Sequence, residues 1–260
     1  MILANIIAIF RKELQSYFLS PFFYIIAAFF WLISGVFFGW ILDNIIQSVA
    51  SAEQQGITSP VDIAYEFFNA FLGVIASLFL VLLPALSMGL YAEERKRGTL
   101  ELLATSPVTN WGVAVGKLLG VITFFTVLLV PLIIYEIIAL SAASPPVQLP
   151  VILMGHGGLI LLAAAILSLG MFISSLTDSA ILSYILTFIL VVFLWVIDGL
   201  GERVGGVLGE ILSHLSLFDN YNDLVRGIFN TSSLVLFVSY IILGIFLTAQ
   251  SIEALRFQRS

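Results

Sequence analysis

Apolar residues dominate six long stretches of the chain, about Phe22–Leu42, Phe67–Tyr91, Trp111–Leu140, Val151–Leu176, Ala180–Ile197 and Ser233–Leu255, each bounded by a polar segment. A helix needs about 20 such residues to cross a hydrocarbon layer of roughly 30 Å. The pattern therefore predicts an all-α integral membrane protein with six transmembrane helices. Pro21 opens the first span where a missing N–H does no harm, while Pro84 and Pro131 fall inside spans and are expected to bend them. Ahead of the first span, Leu3, Ile6, Ile7, Phe10, Leu14, Tyr17 and Phe18 recur at helical spacing, leaving Asn5, Lys12, Glu13 and Ser16 for the opposite face. Residues 1–19 read as an amphipathic helix along the membrane interface. The alternative is an inward extension of the first span.

The connections differ in character. Residues 43–66 form a polar link carrying Asp43, Glu53, Asp62 and Glu66, and SAASPPVQLP joins the third and fourth spans without a charge. Between spans five and six, residues 199–231 hold two short amphipathic pieces. The first repeats Val204, Val207, Leu208, Ile211, Leu212 and Leu215; the second begins near Asp219 or Asn220, either of which can cap it. Both read as external, re-entrant or interfacial helices.

Charge settles the expected orientation. With the N-terminus in the cytoplasm, Arg11, Lys12, Arg95, Lys96, Arg97, Lys117, Arg256 and Arg259 lie inside, 8 basic residues, against Arg203 and Arg226 outside, 2. Basic residues collect on the cytoplasmic side, so both termini are placed there. The whole chain, 260 residues at 60% hydrophobic and 10% charged, fits one membrane domain and no soluble globule. Cysteine is absent, and His156 and His214 have no tight carboxylate cluster around them, so no metal site is expected. His156 reads as an interfacial residue. A GxxxxGK[ST] phosphate loop is missing too, so any energy from ATP must reach the chain from a partner.

Two places could carry function. Glu136, in PLIIYEII, is an ionisable residue inside a span, where charge is costly and tends to face a cavity or a partner. It is a candidate for a substrate path or an inter-subunit contact. The other is residues 93–107, EERKRGTLELLATSP, where Glu93, Glu94, Arg95, Lys96 and Arg97 stand together between two spans. Gly98 can end the incoming helix and Thr99 can cap a new one. Glu101 then falls in its first turn, and Pro107 after Ser106 stops it. The piece is about two turns long, with Leu100 and Leu103 on one side. Isolated helices of that length are marginal in water, so it must lean on something.

This run resembles the coupling segment of the ABC-2 type permeases, the membrane subunits of a class of ABC exporters with the type V exporter fold. Glu93, Glu94, Arg95, Gly98, Thr99, Leu100, Glu101, Leu102, Leu103, Ser106 and Pro107 match that pattern. The resemblance implies that the segment, Lys96 and Arg97 included, docks into an ATP-hydrolysing subunit and passes on its movement. A second coupling element would lie between spans four and five, where Thr177 and Asp178 stand; a plain polar turn is the alternative. The small external extensions resemble the bacterial subgroup linked to gliding motility and multicopper-enzyme maturation.

The implied protein is the permease subunit of an ATP-driven ABC exporter in the plasma membrane, the bacterial inner membrane. It is expected to be no enzyme itself and to bind no cofactor. ATP and Mg would bind two copies of a partner ATPase subunit, and a second permease subunit would complete a homodimer or heterodimer. Membrane lipids are expected partners and nucleic acid is not. The competing readings are an energy-independent channel or secondary transporter, and a non-transporting anchor for an ATPase.

Overall fold

The structure, a computed structural model, describes residues 2–54, 62–100, 109–143 and 147–257. Ten helices are described: α1 (Ile2–Leu19), α2 (Pro21–Gln54), α3 (Ile63–Ser87), α4 (Ala92–Lys96), α5 (Asn110–Ser141), α6 (Leu149–Leu176), α7 (Ala180–Val204), α8 (Gly206–Leu215), α9 (Leu217–Val225) and α10 (Thr231–Phe257). Six of them, α2, α3, α5, α6, α7 and α10, are long and apolar enough to cross a membrane. Local chemistry sets most of the starts. Asp62, Thr109, Ser179 and Ser216 each accept a backbone N–H from the first turn that follows, satisfying a donor with no intrahelical partner.

Several boundaries differ from the sequence pattern. The polar link expected from Asp43 is helical as far as Gln54, because no Gly or Pro interrupts it and its side chains support the helix: Gln47 donates to Asp43 Oδ2 at 2.8 Å. The second external helix starts at Leu217, not near Asp219. Ser216 is its cap, and Asp219 lies in the first turn, where a carboxylate suits the helix dipole. Ser20 separates α1 from α2, so α1 is its own element rather than a prolongation of the first span.

Helix α6 is the axis of the bundle. Its neighbours approach its backbone closely because small residues face them: a side chain at Gly244 of α10 would lie 2.6 Å from the Ser168 carbonyl carbon of α6, and one at Gly155 of α6 would meet Leu72 at 2.6 Å. Phe68, Phe71, Leu72, Ile75 and Phe79 of α3 and Val121, Phe125 and Leu129 of α5 fill the rest of the core. Phe38 of α2 is ringed by Phe67, Phe71 and Tyr135 at 4.9, 5.3 and 4.8 Å. On the outside, Ile25, Phe29 and Trp40 of α2 and Ile181, Ile189 and Phe193 of α7 are exposed, a surface suited to lipid.

Helix α1 lies along α5, and its contact face is turned from the one its periodicity predicts. Gly112, Gly116 and Gly120 form a groove on α5 into which Ile6, Ile9 and Glu13 press, while Leu3 and Ile7 stay exposed. Glu13, assigned above to the polar face, is therefore turned into the protein. Tyr17 secures the far end of α1 by donating from its hydroxyl to the Leu86 carbonyl at 2.9 Å. Burial, then Glu13 and Glu93, raise the Tyr17 phenol well above the usual tyrosine range, so it stays a donor.

Candidate coupling surface

The residues after α3 turn sharply. The break in the helix over Met88 to Tyr91 leaves the first N–H groups of α4 without partners, and this five-residue helix has no side-chain cap of its own. The cap comes from α6: the Ser174 hydroxyl oxygen accepts from Tyr91 N and Ala92 N, each at 3.0 Å, and its own hydrogen goes to the Met88 carbonyl at 2.9 Å. In return Arg95 Nη1 donates to the Ser175 carbonyl at 2.8 Å, one of the last carbonyls of α6, where a cation is favoured. Each helix end completes the other.

Ser174→Ala would leave two buried N–H groups and a carbonyl without their partner. It is expected to destabilise by about 2 kcal/mol and to speed hydrogen exchange at Tyr91 and Ala92. Unchanged exchange at both amides would refute the clamp.

Helix α4 then ends as its sequence suggests. Gly98 has φ +69°, a left-handed conformation that strains any residue with a Cβ. Gly98 N donates to Arg95 O at 3.1 Å and Thr99 N to Glu94 O at 2.9 Å, the paired bonds of a Schellman termination. The Thr99 hydroxyl also donates back to Glu94 O, at 3.2 Å, and the chain is helical again at Leu100, which is buried. Glu101, Leu102, Leu103, Ser106 and Pro107 lie outside the described residues.

Beneath this turn lies a buried charged node. Lys117, on the first part of α5, is 4% exposed, and its ammonium donates to Leu90 O at 2.7 Å, Glu94 Oε1 at 3.0 Å and Glu13 Oε2 at 3.2 Å. Three acceptors meet the three N–H groups of a lysine. Tyr91 places its ring 5.0 Å from the same nitrogen, and Lys12 stands 3.8 Å from Glu94. One cation thus joins α1, the α3–α4 turn, α4 and α5. Sequence reasoning counted Lys117 only as a basic residue near a span end. The Gly112, Gly116, Gly120 spacing on α5 was a readable sign that another helix packs there.

The node divides the charged residues by role. Glu94 and Arg95 face inward and hold the turn to the bundle, whereas Lys96, Arg97, Gly98, Thr99 and Asp178 are exposed. Glu93 and Arg97 pair across one turn at 3.3 Å, an exposed contact that contributes little to stability. Glu93, Lys96, Arg97, Asp178, Ser179 and Ile181 line an open cleft of about 680 Å³. Thr177 accepts from Ser179 N at 3.1 Å and shapes the turn that carries Asp178. The two segments singled out in the sequence, about 80 residues apart, form one surface.

Glu136 is placed differently from its expectation of an open path or a contact between subunits. It is 0% exposed, enclosed by its own chain, with Oε2 3.3 Å from His156 Nε2. His156 is correspondingly buried, at 2%, rather than interfacial.

Six apolar spans around a buried axis, with a charged turn clamped across two of their ends, define a multi-pass membrane protein whose polar surface is gathered at the span ends. The family is shown by the sequence match: the model of the ABC-2 family transporter proteins covers residues 7–260, and the chain belongs to that family. It is a membrane permease of an ABC transporter, of the kind that normally works with an ATPase subunit and is not itself the ATPase. No curated protein matches the chain.

Proposed function

We propose that the chain couples ATP hydrolysis by a separate ATPase subunit to export across the bacterial inner membrane, and that residues 93–107 with Thr177 and Asp178 are where the force enters. The observation that carries this reading is the reciprocal capping of α4 and α6 by Ser174 and Arg95. A docking segment held only by its own backbone would yield when pushed, since so short a helix is marginal alone. Here the exposed cleft is backed by two hydrogen-bonded helix ends and by the Lys117 node, so a load on Lys96, Arg97 or Asp178 reaches α1, α5 and α6 together. Two ATPase subunits, carrying ATP and Mg, and a second permease subunit complete the working unit in this scheme. The short external helices favour the gliding-motility and multicopper-enzyme-maturation subgroup.

The test is co-purification with the partner ATPase, followed by Glu101→Arg combined with Leu103→Asp. Insertion should be unaffected while ATPase association and stimulation are lost. An ATPase that stays bound and stimulated would sink the coupling assignment; one that stays bound without any stimulation, in the unaltered protein too, would favour a membrane anchor.

A further inference from the structure

The Glu136–His156 contact has no role in the coupling scheme, and its proton count is constrained by geometry. His156 Nδ1 lies 2.9 Å from the Ile152 carbonyl oxygen. A carbonyl has no proton to give, so Nδ1 carries one and donates it. The other ring nitrogen, Nε2, then lies 3.3 Å from Glu136 Oε2, and neither atom makes a hydrogen bond to any other group among the described residues.

Three proton counts are conceivable. With no proton on Nε2 or the carboxyl, a lone pair confronts a carboxylate and a single negative charge is buried. With a proton on each, a single positive charge is buried. Either state places an uncompensated charge where no water reaches it. One proton for the two groups leaves the pair neutral overall, whether it rests on the carboxyl or on the imidazole.

The surroundings keep that proton in place. Tyr135 is adjacent on α5, the Phe68 ring of α3 lies 6.4 Å from the imidazole, and Phe38 of α2 packs on Tyr135. On α9, Tyr221 is buried and donates to the Leu72 carbonyl at 3.2 Å. Burial, and then the Glu136 carboxylate, raise the Tyr221 phenol well above the usual tyrosine range, so it adds no charge of its own. Of the charged groups on these elements, Glu66 of α3 and Arg226 beside α9 line a cleft of about 350 Å³ that Tyr221 also borders, while Asp219 and Asp223 lie on α9, Asp43 on α2 and Lys117 on α5.

We propose that Glu136 and His156 form a one-proton site inside the bundle, a single proton shared between carboxyl and imidazole that ties α5 to α6 behind the tyrosine of α9. Its ligand is H⁺, and the site is independent of the coupling surface.

The chain holds two histidines, His156 and His214, so nitrogen-15 labelling of histidine in the full-length protein in lipid nanodiscs gives two ring systems, told apart by His214→Gln. Between about pH 5 and 8, the range over which an ordinary histidine changes charge, the His156 nitrogens should keep Nδ1 protonated and show no titration. Glu136→Gln, which keeps the shape and offers an amide hydrogen to Nε2, should leave His156 neutral and move its Nε2 resonance. A His156 that titrates as a free imidazole, that carries its proton on Nε2 with Nδ1 bare, or whose Nε2 resonance ignores Glu136→Gln would overturn the site.

Discussion

Lys117→Met is expected to lower the stability of the folded chain by roughly 3 kcal/mol and to abolish stimulation of the ATPase. Removing one member of a buried ion cluster typically costs about 3–5 kcal/mol, because the partners keep their desolvation penalty and lose their counter-charge. Here the lower end applies, since the Glu13 and Glu94 side chains retain 13% and 18% exposure and can recover some hydration. Two carboxylates would then crowd one another, with Lys12 on the solvent side the one cation left within ion-pair distance among the described residues. The triple change Lys117→Met, Glu13→Gln, Glu94→Gln should recover much of the stability, as uncharged replacements of a buried ion cluster often do. Thermal unfolding in detergent reads the first effect and ATPase assays of the reconstituted pair read the second. A single Lys117→Met variant that unfolds with the unaltered protein would dismiss the node.

Gly244→Leu is expected to be as damaging, through packing alone. The first side-chain carbon would already lie 2.6 Å from a backbone atom of α6, so no rotamer of a neighbour relieves the clash and the two helices must separate. Overpacking costs about 1–3 kcal/mol when side chains give way, and more when a backbone has to move. About 3 kcal/mol or more is anticipated, together with loss of properly folded protein on size-exclusion chromatography. Gly199→Leu, where nothing lies within 4 Å of the added carbon, is the control. Equal stability of the two variants would contradict the close contact of α6 and α10.

What the sequence made legible followed from local rules. Span positions came from apolar length alone, and the break at Gly98 came from the conformational freedom of one residue before Thr. The errors arose where a long-range partner decided the outcome. Glu13 looks solvent-facing by periodicity, yet its partner Lys117 is 104 residues away and no spacing rule reaches that far. Glu136 was recognisable as an unusual intramembrane acid, but its confinement depends on His156, on a different helix. Asp43 read as the end of a span because polarity was taken for a break; a helix continues through polar residues when its backbone has no reason to stop. Thr177 and Asp178 were placed beside the charged turn only through the family resemblance, and Ser174, which makes the contact, carries no signal of its own.

Helix α6 is 28 residues long, roughly 42 Å at the usual rise. Ser174 and His156 are 174 − 156 = 18 residues apart on it, roughly 27 Å, with no proline between them. The grip near one end and the hidden hydrogen toward the other are therefore carried by a single unbroken rod, about five helical turns apart.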